Sequence, residues 1–308
     1  MNKGLPLIII LSGLLFFGQP VLLSAKQIIL KSEDQFKFAL EAMKKGKFEQ
    51  AAGEFERFIY FFPGDEKVPG ARYLIGVCYL NGRKYEEARK VFRDIGKTYP
   101  KKEISRQAFL MIGESYYREG AVEEAERYFA KLIEKYPEAE ISNAARYRIG
   151  WSRMKADRWE EASESFKTVG EKSPLYDNAQ ELAGLSLEGE DLSYRSPTAA
   201  GVMAGILPGL GHVYCKRPKD GMVALLLNGL FAWAAYESFD QEHYVLGGIL
   251  SFLEFGWYTG NIYSAVNSAH KYNRKVRNDF RKKLPDRFQV GLIATGKGHI
   301  GIAMRFTF

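Results

Sequence analysis

A repeat with a period of 37 residues is the feature of this sequence that most constrains how the chain can fold. Three residue types hold the same register through four copies, which rules out a chance match. The positions that define the register are Ala51, Ala88, Ala125 and Ala162, Phe55, Phe92, Phe129 and Phe166, and Pro63, Pro100, Pro137 and Pro174. Such a period indicates stacked units that bury their apolar faces against their neighbours.

Each unit carries the pattern of two helices joined by a turn. A small residue recurs ahead of the alanine, and an aromatic or apolar residue precedes the alanine by three positions. These positions are Ala39, Gly76, Gly113 and Gly150, and Phe48, Tyr85, Val122 and Trp159. Small residues let two helices approach closely, and proline ends the second helix. The sequence therefore predicts a helical solenoid over residues 32–190, made of four repeats and a capping helix at residues 175–187.

The repeat resembles the tetratricopeptide repeat, whose unit is about 34 residues long. Three extra residues follow the proline, as in residues 136–150. This long-turn form is similar to that of bacterial periplasmic proteins, such as the lipoprotein of the outer-membrane assembly machine and the coordinator of the Tol-Pal complex. The resemblance implies a right-handed solenoid and says little about a ligand, because the matching positions are packing positions.

The first helix of each repeat is expected to line a concave groove for a peptide or helix of an envelope protein. Helical spacing puts apolar side chains in the middle of this groove and basic or amide side chains along one rim. The predicted groove residues are Phe36, Leu40, Tyr73, Val77, Leu110, Glu114, Tyr117, Tyr147 and Trp151, with Lys44, Asn81, Arg118 and Lys155 on the rim. The alternative is that most of these side chains pack between neighbouring helices.

Three apolar runs follow the repeats, at residues 198–214, 221–239 and 244–269. A helix needs roughly 20 apolar residues to cross a bilayer, so the second and third runs are long enough and the first is marginal. Glycines spaced by four in the first and third runs favour close packing between helices and possible self-association. The sequence thus predicts a transmembrane helical module over residues 196–270.

A turn interrupts the first apolar run at Pro208, Gly209, Gly211, His212 and Tyr214. It resembles a family of small bacterial membrane domains in which a Pro-Gly-x-Gly-Gln-x-Tyr turn precedes two transmembrane helices. In this chain His212 replaces the glutamine of that pattern. The family implies no activity, and the break leaves two alternatives: the first run crosses the membrane, or it re-enters and returns.

The charge distribution bears on the topology. Residues 271–287 contain eight basic and two acidic side chains, which accounts for +6 of the net charge of +7 and suits anionic lipid headgroups better than nucleic acid. Residues 216–219 are also basic, whereas the loop at residues 240–242 is acidic. If the repeats are exported, three crossings bring both basic segments to the cytoplasm, so the sequence favours three crossings over two.

Two polar residues of the long apolar runs occupy matching positions. Asn228 and Glu254 each lie thirteen residues from Gln241, so they are expected at one depth in an antiparallel helix pair. A carboxyl group in a membrane is costly to ionise, which favours a protonated or hydrogen-bonded Glu254 in a packing contact. The alternative is a proton or ion path.

The two ends of the chain indicate its location. Residues 1–25 have a basic start, a 13-residue apolar core and a small-residue cleavage site, as in a secretory signal; an uncleaved signal anchor is the alternative. Lys26 stands where a lipoprotein needs cysteine. Residues 288–294 and 299–308 predict a β-hairpin. The bacterial inner membrane, with the repeats in the periplasm, is therefore expected, and the outer membrane is the second choice.

No catalytic constellation, phosphate-binding loop or metal-ligand spacing is present in the sequence, so neither an enzyme nor a cofactor is predicted. Three functions remain open: a membrane-anchored scaffold for envelope proteins, an oligomeric channel or transport component, and an outer-membrane assembly factor. The expected fold class is all-α, a tetratricopeptide-like solenoid followed by a transmembrane module and a short carboxy-terminal hairpin.

Overall fold

The computed structural model describes residues 30–286 and the backbone of two strands that follow them. The signal predicted at residues 1–25 lies outside this range. Paired antiparallel helices stack into the predicted solenoid. Its helices are α1 (Ser32–Lys44), α2 (Phe48–Phe61), α3 (Val68–Asn81), α4 (Tyr85–Thr98), α5 (Glu103–Glu119), α6 (Val122–Lys135), α7 (Glu140–Lys155), α8 (Trp159–Lys167) and α9 (Tyr176–Leu187).

Contacts between glycine and phenylalanine hold the two helices of a repeat together. A Cβ atom added to Gly113 would lie 2.5 Å from the ring of Phe129, which is fully buried. The same contact recurs one period earlier and one period later, in the pairs Gly76–Phe92 and Gly150–Phe166. The expectation that the recurring small residues allow close helix approach is confirmed.

The fourth repeat departs from the expected pattern. In the first three repeats the second helix ends two residues before the proline, as predicted. α8 instead ends at Lys167, seven residues before Pro174. Gly170 lies at the position that Ile133 holds in the third repeat, and its N–H donates to Asn143 Oδ1 at 3.1 Å. Because this side-chain bond replaces a helical one, the expectation that the proline ends the helix is wrong here.

Two helical hairpins follow the solenoid. The short hairpin consists of α10 (Pro197–Ile206) and α11 (Leu210–Tyr214), and the long one of α12 (Pro218–Asp240) and α13 (Tyr244–Lys283). Among the described residues, α12 is the one helix that is both long and apolar enough to cross a membrane, and α10 is a shorter apolar helix.

α13 joins the second hairpin to the solenoid. It has 40 residues and is about 60 Å long, twice the thickness of a bilayer core. It runs without a break through residues 270 and 271, where the sequence suggested a boundary. Near its end Phe280, and beyond it Leu284, pack into the hydrophobic core of the last repeats. The predicted juxtamembrane segment and the solenoid are thus one packed body.

The predicted β-hairpin is present after α13. β1 (Phe288–Thr295) pairs antiparallel with β2 (His299–Phe306), in a register that places Phe288 opposite Phe306.

Candidate functional site

A buried ion pair lies on the concave side of the last two complete repeats. Glu114 on α5 is 0% exposed and Arg148 on α7 is 3% exposed. The guanidinium group donates two hydrogen bonds to the carboxylate, from Nε at 2.7 Å and from NH2 at 2.6 Å. Two parallel bonds of this kind hold both groups in a fixed orientation.

The chain's own carboxy-terminal segment supplies a second carboxylate to this arginine. Arg148 NH1 donates to Asp286 Oδ2 at 3.0 Å. The hydroxyl of Tyr147 donates to Asn178 Oδ1 at 2.7 Å and lies 3.5 Å from Asp286 Oδ1. The segment after α13 therefore lies against α7, the first helix of the fourth repeat.

The electrostatics of this cluster follow from its burial. Burial alone would lower the pKa of Arg148, but attraction to Glu114 and Asp286 outweighs burial and raises that pKa above its ordinary value. Burial raises the pKa of Tyr117 to about 12. The pKa of Lys155 is lowered, chiefly by burial, and its ammonium group donates to the Tyr117 carbonyl oxygen at 2.7 Å. The positive charge of Arg148 is thus retained.

Apolar and ionic contacts fix the end of α13 against α8. The rings of Phe280 and Trp159 meet edge to face, with centroids 5.6 Å apart. Arg277 Nε lies 3.0 Å from Asp157 Oδ2, and Arg281 also pairs with Asp157. Two of the basic residues predicted to face lipid therefore bind the solenoid instead.

Most of the predicted groove residues lie inside the solenoid. Phe36, Tyr73, Val77, Leu110, Glu114, Tyr147 and Trp151 are buried. Leu40, Tyr117 and Lys155 are half-buried and Arg118 is exposed. Leu40, Met43, Lys44 and Arg118 retain exposed surface on the first helices of the first and third repeats. Between them, β2 lies against α3, the first helix of the second repeat. For the seven buried residues, the structure agrees with the alternative of packing between helices.

The interrupted apolar run reverses direction and does not continue as one span. The backbone N–H of Ser196, just before α10, donates to the hydroxyl of Tyr214, the last residue of α11, at 3.1 Å. The ends of residues 198–214 therefore lie together, which favours the alternative of a return over a single crossing. The physical reason is Gly209, whose φ of 88° and close backbone contact with Gly221 permit a reversal that a side chain would block.

Asn261 satisfies the backbone groups that this reversal frees. Its Nδ2 donates to the carbonyl oxygen of Ala204 at 3.1 Å, and its Oδ1 accepts from the N–H of Gly209 at 3.2 Å. His212 Nε2 lies 3.1 Å from Ser264 Oγ on the same helix. Pro208 is half-buried beside the turn, and Gly211 is buried. Sequence reasoning missed Asn261, although an amide in an apolar run was the available signal.

Asn228 and Glu254, the two polar residues predicted to share one depth, each retain a buried oxygen atom without a hydrogen bond among the described residues. Asn228 Nδ2 donates to the carbonyl oxygen of Ala224 on its own helix at 2.7 Å. Within the described part of the chain, Asn228 Oδ1 and Glu254 Oε2 are buried and have no hydrogen-bond partner. The hydrogen-bonded state predicted for Glu254 is thus not seen at this oxygen.

The described residues contain no group of His, Cys, Asp and Glu side chains that could hold a metal ion. Cys78 and Cys215 are both buried and unpaired. The ionisable residues around Arg148 bind one another across helices. Nothing in this arrangement points to catalysis.

Comparison with known families matches the repeats. Models of the tetratricopeptide repeat match residues 36–103, 107–139 and 144–175. Comparison with curated proteins gives no significant match.

Several solved structures resemble the chain at low identity. Repeats of a putative kinesin light chain from Podosopora anserina are 13% identical, cover 53% of this chain and 90% of that one, and give a TM-score of 0.41. A tetratricopeptide repeat protein from Parabacteroides merdae is 16% identical, covers 82% of this chain and 97% of that one, and gives a TM-score of 0.39. The apo form of RapI is 14% identical, covers 83% of this chain and 88% of that one, and gives a TM-score of 0.38. The family matches alone show that residues 36–175 of this chain contain tetratricopeptide repeats.

Proposed function

We propose that this protein is a membrane-anchored scaffold whose repeats hold other proteins of the bacterial cell envelope close to the membrane. Tetratricopeptide repeats typically bind partner proteins or peptides, and the matched repeats support that part of the function. The anchoring is supported by the surface of the helical module.

An extended apolar surface on α12 and α13 is the observation that carries this proposal. Leu226 is 65% exposed, Trp233 62% and Phe252 77%, and large apolar side chains continue along both helices. Soluble proteins rarely expose a contiguous apolar patch larger than a few hundred Å². Tyr236 and Tyr244 flank the far end of the hairpin, where a membrane-water interface favours aromatic rings. A lipid environment suits this apolar surface.

The segment of the chain that docks on the last repeats indicates what chemistry a partner needs. It offers apolar side chains, Phe280 and Leu284, and a carboxylate, Asp286, to the last repeats. The first helices of the first and third repeats combine the half-buried Leu40 with the exposed Lys44 and Arg118. A partner peptide that carries apolar residues next to an acidic one is complementary to that surface.

The proposed location is the bacterial inner membrane with the repeats in the periplasm. Export is supported by the signal-like residues 1–25. The reversal at Gly209 keeps the solenoid on the same side as basic residues 216–219, so the positive-inside rule argues for the opposite orientation. Labelling from each side of the membrane, with a cysteine at the exposed solenoid position Lys90, measures which side the repeats occupy.

Site-specific photo-crosslinking tests the scaffold. A photoreactive amino acid at Lys44 or Arg118 is expected to capture the same partner from intact cells. The matched control is Lys90, an exposed lysine on α4, the second helix of its repeat, where no adduct is expected. The protein itself should sediment with membranes and resist extraction by alkaline carbonate. A carbonate-soluble protein, or equal adducts at all three positions, would contradict the proposal.

A channel is the second candidate function, and one observation favours it. The unpartnered carboxylate oxygen of Glu254 lies in the apolar part of α13, where an acid with an ion-conducting role would be placed. Because each chain supplies a single such acid, several chains would have to assemble for these acids to line an ion path.

A further inference from the structure

A pocket opens between α12 and α13 beside the short hairpin. Its inner part is lined by His212, by Asn228 and by the apolar side chains of Val223, Leu227 and Trp257. Arg217 and Lys271 line both this pocket and a second one nearer the solenoid, so the two pockets adjoin. Together they form a cleft, here called the α12–α13 cleft, that leads from the charged end of the module into its apolar part.

Two buried polar atoms in this cleft lack a partner among the described residues. They are Nδ1 of His212 and Oδ1 of Asn228, and each residue is only 4% exposed. A buried polar atom without a hydrogen bond destabilises the fold, so such atoms need a compensating group. Because both residues line the cleft, a molecule with polar groups that enters the cleft can supply one.

The mouth of the cleft is positively charged. The charged side chains that line it are Lys216, Arg217, Lys271 and Lys275, and Asp220 and Asp279. Asp220 pairs with Arg217, which also reaches Ser268 Oγ at 3.4 Å, and the three lysines are exposed. The surplus of two positive charges favours an anionic group at this end.

The chemistry of the cleft changes in a fixed order along α12. Arg217, just before its first turn, lies at the mouth, His212 lies next, and Leu227 and Trp257 face the inner end. Eleven residues separate Arg217 from Asn228, which is about 16 Å along a helix. A ligand that matches this order has an anionic end, polar groups beside it and an apolar tail.

We propose that the α12–α13 cleft binds an anionic phospholipid. The phosphate lies against Arg217 and Lys271, and an ester carbonyl oxygen accepts a hydrogen bond from Nδ1 of His212. In that tautomer Nε2 accepts from the hydroxyl of Ser264, 3.1 Å away. An acyl chain then lies between Leu227 and Trp257. This inference rests on the proposed membrane anchoring, and it adds a selective site to that general contact with lipid.

Native mass spectrometry of the full chain, released from detergent after equilibration with phosphatidylglycerol or phosphatidylcholine of the same acyl chains, tests the site. Phosphatidylglycerol is expected to be retained at least five-fold more. Lys271→Gln with Lys275→Gln should abolish this preference. The matched control, Lys282→Gln with Lys283→Gln, removes the same charge from exposed positions of α13 outside the cleft and should leave the preference unchanged. His212→Phe, which keeps the side chain's bulk but loses Nδ1, should lower retention of both lipids.

Each other outcome overturns the inference. Equal retention of the two lipids, or equal loss in both double variants, means that only diffuse charge attracts lipid. Displacement of phosphatidylglycerol by millimolar inorganic phosphate means that the cleft is a site for free phosphate. Sedimentation of the wild-type protein separates this failure from failure of the proposed function: a protein that stays in membranes without lipid preference has an anchor but no site. The control for folding is the thermal melting temperature of the solenoid, which should be the same in each variant as in the wild-type protein.

Discussion

Arg148 and Asp286 lie 138 positions apart in the chain, and their side chains form an ion pair with an NH1–Oδ2 distance of 3.0 Å. The first residue belongs to the last complete repeat, and the second follows the helix that leaves the apolar module. The contact therefore ties the orientation of the solenoid to that of α13. In the proposed membrane-anchored scaffold, this contact would hold a partner of the repeats at a set distance from the membrane surface.

The substitution Asp286→Asn tests this connection. Loss of the carboxylate removes the ion pair to Arg148 and weakens docking by about 1 kcal/mol, because the side chain is partly exposed. We expect several-fold faster trypsin cleavage after Arg281, which is held against Asp157 in the docked state. The control is Asp279→Asn, which removes an exposed carboxylate near the end of α13 and should leave the cleavage rate unaltered. Equal rates in all three proteins would mean that the ion pair does not hold the segment.

A second prediction concerns the close helix contact inside each repeat. Gly113→Ala should destabilise the solenoid by about 1–3 kcal/mol, since the new Cβ would lie 2.5 Å from the buried ring of Phe129. Gly96→Ala is the matched control, because Gly96 is also helical and has nothing within 4 Å of its Cβ position. That change should stabilise by about 0.5–1 kcal/mol. Chemical denaturation measures both, and a neutral Gly113→Ala would contradict the packing argument.

The residues behind these contacts differ in how far the sequence revealed them. The glycine-phenylalanine pairs repeat every 37 residues, so their packing role could be predicted from spacing alone. The buried ion pair could not, although a signal existed. Arg148 stands where Leu74 and Met111 stand in the preceding repeats, and Glu114 stands where Val77 and Trp151 stand. Charges at apolar register positions indicate a buried pair, but spacing does not identify the third member, Asp286.

The apolar module was predictable in composition but not in path. The lengths of the apolar runs and the distribution of charge favoured three crossings. Both criteria depend on residue counts and take no account of contacts between residues. The path depends on Gly209, Gly221 and Asn261, which allow a reversal and satisfy its backbone groups. The proline and glycines allowed either a crossing or a return. Only the contact of Ser196 with Tyr214 decides between them.

Cysteine labelling on the two sides of a membrane tests that path. In a variant without native cysteines, Lys90→Cys in the solenoid and Lys219→Cys before the long hairpin should react from the same side. Gln241→Cys, in the loop between α12 and α13, should react from the opposite side. Three crossings give another result, with Lys90 and Gln241 on one side and Lys219 on the other. The comparison holds for either orientation of the protein, and the side that Lys90 occupies separates a periplasmic from a cytoplasmic solenoid.

The buried thiol of Cys78 provides a pH-dependent measure of solenoid stability. Burial raises the pKa of Cys78 to about 12, well above the value of about 9 for a free thiol. The fold therefore favours the protonated thiol, and this contribution to stability is complete below pH 9 and is lost as the pH rises towards 12. In a Cys215→Ser variant, reaction with a disulfide reagent at pH 8 should be slow and limited by opening of the repeat. Above pH 9 the reaction rate in the folded protein should rise more steeply with pH than the rate of the same thiol in denaturant. A reaction at the denatured rate at pH 8 would mean that Cys78 is accessible.

The last prediction separates the scaffold from the channel and concerns Glu254. In a scaffold, Glu254→Gln should have no functional effect, because the amide fills the same volume and never needs to ionise. In a channel that handles protons or cations, the same change removes the titratable group and should abolish conduction. We expect no effect, because each chain contributes one such acid and its Oε2 has no hydrogen-bonding neighbour among the described residues from which a relay could be built. Purified protein in liposomes, with a pH-sensitive dye inside, provides the measurement, and Glu242→Gln in the exposed loop is the matched control. Flux through the wild-type protein and the control that disappears in Glu254→Gln would reject the scaffold as the sole function.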